Sequence, residues 1–298
     1  MKKVYFKIHL GGLVLGVMEP NYIAIFDNTL NATYIYVSDS VFDVLGFTPE
    51  EMLGKGGYSL IHPDELDSAH LIHRANVMNE RMSVMLTYRT LHKSGEYVEI
   101  DTVVNYCTDV VVCTNFLHGN RTTVQHKIRA SSVDEWFVIS PDGSVHLVGS
   151  WQDNQARLNK VLTVGNQWIK NRVAHQQEQR FSMILNKFTD ALDIVFISRL
   201  AEPLVGAPAR LTVGQSLYMF VKESDLESVE VQINLAKSNS RIVRLRFEWI
   251  VDRIRGVTAT VEAVVSCTND GLVMVVRLAP LVSVEDSFIK QQQKELQA

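Results

Sequence analysis

The sequence predicts an α+β fold built from two similar units in tandem, and three observations lead to this prediction. Short segments recur along the chain of 298 residues, which marks an internal repeat. Strand-like segments alternate apolar and polar residues, as expected for an antiparallel sheet with one buried face. Between the strands lie segments with helix-start signals and apolar residues at helical spacing.

The repeat is carried by two pairs of segments. YIAIFD (22–27) corresponds to FSMILN (181–186), and LIHPDEL (60–66) corresponds to FVKESDL (220–226). The offset is 159 residues for the first pair and 160 for the second. Because the offset is nearly constant, two similar domains in tandem explain it more simply than one long fold.

The first unit opens with two strands, 22–27 and 34–38, followed by two short helices. The second short helix has a strong start signal because Thr48 precedes Pro49 and two glutamates. A longer helix is predicted over 64–80. We expect its buried stripe to consist of Leu71, Ala75, Met78 and Met82.

Three further strands complete the first unit, over 83–91, 96–107 and 110–117, so that its sheet is predicted to have five strands. HKSGE (92–96) is a hairpin signal between the first two of them. The middle strand alternates apolar and polar residues. We expect one of its faces to be buried and the other to present Glu99, Asp101 and Asn105.

The second unit repeats this order with a cleaner alternation. In strand 241–250 one face carries Val243, Leu245, Phe247 and Trp249. The next strand alternates similarly over 257–265, and Asn269-Asp270-Gly271 predicts the hairpin turn that follows it. A second five-stranded antiparallel sheet is therefore expected.

These elements divide the chain into six segments. The boundaries are 1–20 for an N-terminal extension, 21–118 for the first unit, 119–151 for an additional hairpin that packs on it, 152–180 for a helical linker, 181–280 for the second unit and 281–298 for a helical tail.

Composition excludes several classes of function. The net charge is −4 and no block of Lys or Arg occurs, so direct nucleic-acid binding is not expected. The apolar run IHLGGLVLGV (8–17) is too short to span a bilayer, so no membrane association is expected. The three cysteines form no C-x-x-C pair and lie in strand-like runs, which favours buried thiols in a reduced compartment, the cytoplasm or the nucleus.

The segment LIHPDEL (60–66) places a histidine beside carboxylates, as an active site would. Asp64 and Glu65 are adjacent, however, and adjacent residues point about 100° apart on a helix. Pro63 followed by acids is the pattern of a helix start, and the second unit keeps an acid while it loses His62 and Pro63. We interpret the segment as scaffold. Since no other catalytic motif occurs, we expect that the protein is not an enzyme.

The order of elements, and above all FDVLGFTPEEMLGKGGYSLIHPDEL (42–66), resembles the PAS domain family. The resemblance is strong over 22–118 and weaker over 181–279. The chain is therefore similar to tandem PAS-domain proteins, and its arrangement resembles fungal PAS-containing regulators of the white-collar type. The resemblance implies an antiparallel sheet with helices on one face, and dimerisation through sheet faces and flanking helices.

The same resemblance bears on cofactors. The photoactive flavin branch of the family carries a cysteine at the position of GYSLIHPDEL (57–66), where this sequence has none, so no cysteinyl–flavin adduct is expected. Haem-binding members use a histidine on the long helix. His70 and His73 lie there, and His73 could face inward, but no complete ligand set accompanies them. A packed or solvated histidine is favoured, and no cofactor or metal is expected.

A small ligand could occupy the space between the sheet and the helices. Its predicted lining consists of Leu71, His73, Met85, Ile100 and Val104. A filled core would use the same apolar residues, and we favour that alternative because protein interiors are usually close-packed.

These observations predict a sensory or protein-interaction module of intracellular signalling or transcription regulation. Its expected partner is another PAS protein or a second copy of the chain. The outward sheet face must be covered or stay polar, and Trp168 and Ile169 of the linker are candidates for a cover or a dimer contact. The alternative is a sensor that binds a small ligand or haem.

Overall fold

The fold is described from a computed structural model. The described residues are 9–10, 13–14, 19–29, 31–119, 123–148, 178–239 and 241–279. Nearly all of the predicted linker, with Trp168 and Ile169, lies outside them. The same holds for the tail 281–298 and most of the extension 1–20, so these predictions remain untested.

The first unit is organised around a mixed sheet of seven strands in the order β4-β3-β7-β6-β5-β8-β9. A separate two-stranded pair, β1 and β2, precedes it. The strands are β1 His9–Leu10, β2 Leu13–Val14, β3 Asn21–Asp27, β4 Tyr34–Val37, β5 Ser83–Leu91, β6 Tyr97–Tyr106, β7 Val110–Leu117, β8 Glu135–Ile139 and β9 Val145–Val148.

The additional hairpin joins the sheet instead of packing on its surface, so the prediction of five strands is wrong for this unit. Strand β8 pairs parallel to β5, with Val84 opposite Glu135 and Thr87 opposite Val138. Without β8, strand β5 would be an edge with unpaired backbone groups. Helix α4 (Thr123–Arg129) and a 3-10 turn (Ala130–Ser132) lead into the hairpin.

The other helices of the first unit cover one face of the sheet, which we call the inner face. They are α1 Val41–Leu45, α2 Pro49–Met52, the 3-10 turn Gly57–Leu60 and α3 Pro63–Met78. A capping box starts α2 as predicted, since the backbone N–H of Thr48 donates to Glu51 Oε2 over 2.9 Å. Helix α1 ends at Gly46, whose φ of 74° is favourable only for glycine.

Helix α3 presents a different face from the predicted one. Its buried residues are Glu65, Ala69, Ile72, Ala75 and Asn76. Leu71 is 45% exposed, so its predicted place in the buried stripe is wrong. The apolar pattern misleads because two polar residues, Glu65 and Asn76, point inward and shift the buried stripe around the helix.

The second unit repeats the core of the first in a five-stranded sheet of order β11-β10-β14-β13-β12. Its strands are β10 Arg180–Leu185, β11 Ile194–Ile197, β12 Val243–Asp252, β13 Val257–Cys267 and β14 Leu272–Leu278. Its helices are α5 Ala201–Val205, α6 Ala209–Thr212 and α7 Leu226–Asn239, with 3-10 turns at Leu217–Phe220 and Glu223–Asp225. No helix in the described part of the chain is long and apolar enough to cross a membrane.

The outer faces of the two sheets, opposite to their helices, share one apolar cluster. Its buried members are Ile23, Ile25, Met82, Met85, Val103, Cys107, Val112, Phe116 and Trp136 of the first unit and Ile184, Ile242, Val264, Val273 and Val275 of the second. Thr114 Oγ1 lies 3.2 Å from Ser266 Oγ across this contact. The outward face is therefore covered by the other unit within the same chain.

Strand β6 departs from its predicted pattern because its outer face is covered by α4 as well as by the second unit. Its polar face was expected to meet solvent, yet Asp101 and Asn105 are buried. Arg180 anchors the contact at one end, where its Nη1 donates to the carbonyls of Arg81, over 2.7 Å, and Tyr106, over 3.2 Å. The two units are held together by apolar burial and by hydrogen bonds.

Candidate functional site

A cavity of about 70 Å³ lies in the first unit, between α3, the 3-10 turn Gly57–Leu60 and the inner face of the sheet. Its walls are mostly apolar, with a few polar groups. The lining residues are Phe26, Ala32, Tyr34, Gly57, Tyr58, Ile61, Ala69, Ile72, His73, Val84, Leu86, Tyr88, Thr102, Val104, Tyr106, Val111, Cys113 and Asn115. The filled-core interpretation therefore fails for the first unit.

Three polar side chains form a row across the sheet beneath this cavity. Thr102 Oγ1 donates to Asn115 Oδ1 over 2.8 Å and lies 3.3 Å from Tyr88 Oη. Asn115 is 3% exposed, and its Nδ2 has no hydrogen-bond partner. An unpaired buried donor costs about 1–3 kcal/mol, so a ligand or water that accepts from Asn115 would be favoured here.

His73 contributes the one imidazole among the described lining residues. Burial lowers its pKa to about 4, with a further contribution from the neighbouring His70, so the ring is neutral at neutral pH. The rings of Tyr106 and Tyr58 lie 5.4 Å and 6.1 Å from it. The cavity is thus aromatic and uncharged on the side of α3.

The five residues predicted to line a pocket fall in different places. His73 and Val104 line the cavity. Leu71 is exposed, and Met85 belongs to the cluster between the two sheets because it points to the outer face. Ile100 is buried but is not among the lining residues. The polar row of Thr102, Asn115 and Tyr88 escaped the prediction, although Thr102 was placed on the inner side of β6.

Cys113 also lines the cavity, so a thiol lies near residues 57–66 although the segment itself contains no cysteine. The cysteine approaches from strand β7 and not from the helical side. Burial raises the pKa of its thiol well above the usual range, so the nucleophilic thiolate is disfavoured. The cavity is also smaller than the pockets of about 300–1,000 Å³ that hold drug-sized ligands.

The second unit has apolar residues where the first has this polar row. The strand registers make Phe247, Ala263 and Val276 the counterparts of Tyr88, Thr102 and Asn115. Fully buried Trp249 occupies the position of Thr90, and its ring stacks on Phe220 at 5.1 Å between centroids. Apolar side chains therefore replace the polar row in this core, and the large ring of Trp249 lies on the same strand as Phe247.

The segment 60–66 starts α3 as its sequence interpretation has it, with Pro63 followed by two acids in the first turn, and His62 and Glu65 add contacts that the sequence does not predict. The imidazole Nδ1 of His62 caps α3 by accepting from the backbone N–H of Asp64 over 3.2 Å. Glu65, fully buried, accepts from the backbone N–H of Arg89 over 2.7 Å and pairs with its guanidinium. These bonds fix α3 to strand β5.

Comparison with known proteins relates part of the first unit to a described fold. Residues 34–110 match the family model described as the PAS fold. The chain is 33% identical over 97 residues to the aryl hydrocarbon receptor nuclear translocator homolog of Drosophila melanogaster, which covers 30% of this chain and 15% of that protein. It is 30% identical over 122 residues to hypoxia-inducible factor 1-alpha of Bos taurus, which covers 38% and 14%.

Solved structures give a weaker likeness. The PAS-B domain of Drosophila melanogaster Cycle with bound ethylene glycol is 19% identical, with a TM-score of 0.30, and covers 32% of this chain and 98% of that one.

The chain matches only 14–15% of the length of the two curated relatives above. On the sequence matches, residues 34–110 of the first unit are similar to the PAS fold, and the chain is similar over about a third of its length to segments of the nuclear translocator homolog and hypoxia-inducible factor 1-alpha.

Proposed function

We propose that this protein is a non-enzymatic sensory module of signalling or transcription regulation, with two PAS domains in tandem. Its first domain takes a small uncharged ligand, and its second unit serves as a PAS-like scaffold. The observation that carries the proposal is the unpaired Asn115 amide in a cavity of about 70 Å³, at a position where the second unit has Val276.

The lining defines the chemical class of the ligand. Among the described lining residues none is an acid, a lysine or an arginine, and His73 is neutral at neutral pH. A charged ligand would lose its hydration without compensation. The ligand is therefore uncharged and small, with an apolar body and one acceptor oxygen for Asn115. Haem and flavin are too large, so we propose no cofactor and no metal for this site.

A protein partner completes the proposal, either another PAS protein or a second copy of the chain. The similarity to the nuclear translocator and hypoxia-inducible factor proteins supports such a partner. The sheet faces already cover each other, so the partner must use another surface. Exposed apolar residues of β4 and α1 offer one, namely Ile35, Tyr36 and Phe42. We place the protein in the cytoplasm or nucleus, without direct contact to nucleic acid or membrane.

Native mass spectrometry of protein purified from its own cells tests the proposal. The expected result is a small adduct on the wild type that is absent from T102A/N115V, a double variant that reproduces Ala263 and the valine of the second unit. Thr114→Val is the matched control, because Thr114 lies on the same strand as Asn115 and faces the other sheet. No adduct on the wild type, or an equal adduct on the double variant, contradicts ligand binding. If a protein partner co-purifies, the mass of the complex gives its stoichiometry.

A further inference from the structure

A cluster of charged groups lies buried on the outer face of the first sheet, away from the cavity. Three elements supply it: β6 with Asp101, the chain just after β7 with His118, and α4 with His126 and Arg129. Asp101 is fully buried, and His126 is 3% exposed. The cluster therefore sits where α4 packs against the sheet.

The two histidines share the carboxylate of Asp101. His118 Nδ1 lies 3.0 Å from Oδ1, and His126 Nδ1 lies 2.7 Å from Oδ2. The imidazole rings stack at 4.2 Å between centroids, with 14° between their planes. Thr87 donates to Oδ1 over 2.7 Å, and the indole of Trp136 donates to Thr87 over 3.0 Å.

Asp101, His118 and His126 are also residue types that bind metal ions. The geometry favours protons instead. The Nδ1 atom of each histidine already contacts a carboxylate oxygen of Asp101, at 3.0 Å for His118 and 2.7 Å for His126. The guanidinium of Arg129, 3.6 Å from Asp101 Oδ2, already supplies a positive charge beside the carboxylate.

The carboxylates of this cluster outnumber its one guanidinium, so the cluster can bind one more proton. Arg129 faces two carboxylates, those of Asp101 and Glu19, and Glu99 Oε2 lies 3.5 Å from His118 Nε2. His126 Nε2 is buried without a partner, so a proton there would lack an acceptor. His118, whose side chain is 26% exposed, can receive the proton from solvent and direct it towards Glu99.

We propose that Asp101, His118 and His126 form a proton-dependent latch that holds α4 and the β8–β9 hairpin on the first sheet. The latch is closed when His118 is protonated and loosens when His118 loses its proton. Protonated His118 bonds both Asp101 and Glu99, whereas the neutral ring has one N–H and can donate to only one of these two carboxylates.

The electrostatics agree with this direction. The hydrogen bond to Asp101 raises the pKa of His118, against the opposing effect of burial. Burial by itself would raise the pKa of Asp101, but hydrogen bonds from His118, His126 and Thr87 outweigh it and hold that pKa below its usual range. A histidine pKa that is raised in the folded state stabilises at low pH, and this stabilisation is lost as pH rises through that pKa.

The latched segment also touches the second unit. Arg244 Nε donates to the Ser132 carbonyl over 2.7 Å, and its Nη2 lies 2.6 Å from Asp134 Oδ1. The other oxygen of Asp134 accepts from the backbone N–H groups of Met82 and Ser83. Opening of the latch would therefore reach the contact between the two units as well as the edge of the first sheet.

Hydrogen exchange of the intact chain tests the latch. After correction for the intrinsic effect of pH, amide exchange of α4 and β8 should accelerate several-fold from about pH 6 to about pH 8.5 in the wild type. In His118→Gln, which keeps a donor for Asp101 but cannot titrate, this acceleration should vanish. His146→Gln, at an exposed site in the same hairpin, should behave as the wild type.

An NMR titration of the wild-type imidazoles supplies a second test that does not depend on the folding of a variant. It should place the pKa of His118 above the ordinary value of about 6.5. Protection of α4 that is flat with pH, an unchanged pH response in His118→Gln, or an ordinary pKa for His118 would overturn the latch. So would stoichiometric binding of Zn²⁺ that His126→Ala removes.

Discussion

The cores of the two units share one strand order but differ in what fills them. In the first, Thr102, Asn115 and Tyr88 form a polar row beneath a cavity. In the second, the equivalent positions are apolar and Trp249 is fully buried nearby. The backbone therefore does not decide whether such a core is open. A few side chains at matched positions decide it.

The helices show the same contrast. Glu65 and Asp225 occupy equivalent positions, since each carboxylate accepts the N–H of the neighbouring strand, from Arg89 and Glu248 respectively. With this register, a residue eight positions later is His73 in the first unit and Ile233 in the second. Ile233 is buried in the apolar core. The second unit thus carries apolar residues at the positions of His73 and of the polar row in the first.

The largest expected effect concerns Trp249. Trp249→Ala should lower the free energy of unfolding of the second unit by about 3–5 kcal/mol, because it removes a fully buried ring. Thr90→Ala, at the matched position, should cost about 1 kcal/mol or less. Urea denaturation with signals from each unit measures both. Equal costs for the two variants would contradict the conclusion that side chains fill the core of the second unit more completely than that of the first.

The carboxylates at the starts of α3 and α7 should differ next. Glu65→Ala removes a fully buried acid with a charged partner, Arg89, and should cost about 3 kcal/mol. Asp225→Ala removes a backbone hydrogen bond at a half-buried site and should cost about 1 kcal/mol. Urea denaturation compares the two variants. A larger cost for Asp225→Ala would show that the ion pair adds nothing.

His73 should make the first unit acid-sensitive. Its folded pKa is about 4, whereas the unfolded value is about 6.5. The unfolded chain binds the proton in between, so stability falls as pH drops from about 6.5 to about 4, by up to roughly 3 kcal/mol. His73→Ile should remove this part of the pH dependence. Urea denaturation at about pH 6.5 and about pH 4 measures the difference. His146→Ile, at an exposed site, should keep it, and an identical profile in both variants contradicts the burial of His73.

The smallest expected effect uses one substitution at two matched sites. Val104→Ile adds a methylene beside the cavity and should leave stability unchanged or raise it by up to about 0.8 kcal/mol. Val265→Ile adds the same group to a filled core and should cost about 1–3 kcal/mol. Thermal unfolding distinguishes them. A cost at Val104 equal to that at Val265 would mean that the first core is also filled.

The sequence predicts the features that depend on local patterns. The repeat, the order of elements along each unit, the helix start at Thr48 and the scaffold role of residues 60–66 all follow from short segments. The inward orientation of Glu65 cannot be predicted from a short segment, because its partner Arg89 is distant in sequence and acids are usually exposed. For this reason Leu71 was assigned to the wrong face of α3.

Long-range contacts account for the remaining differences. Parallel pairing of β8 with β5 and the burial of the outer sheet faces depend on how distant segments meet, which no local pattern encodes. The buried position of Met85 follows from the contact between the sheets, and that of Asp101 follows from the packing of α4 on β6. The sequence left the cavity and a filled core as alternatives and favoured the filled core, because it shows which residues are apolar but not whether their volumes fill the space between helix and sheet.

The most direct test of the contrast between the two cores is a titration with isopropanol, an uncharged probe with one acceptor oxygen, followed by two-dimensional NMR. Saturable shifts should appear at Thr102, Val104 and Asn115 of the first unit, while Ala263, Val265 and Val276 of the second stay unchanged. Shifts of equal size in both units, or none at Asn115, would contradict the account.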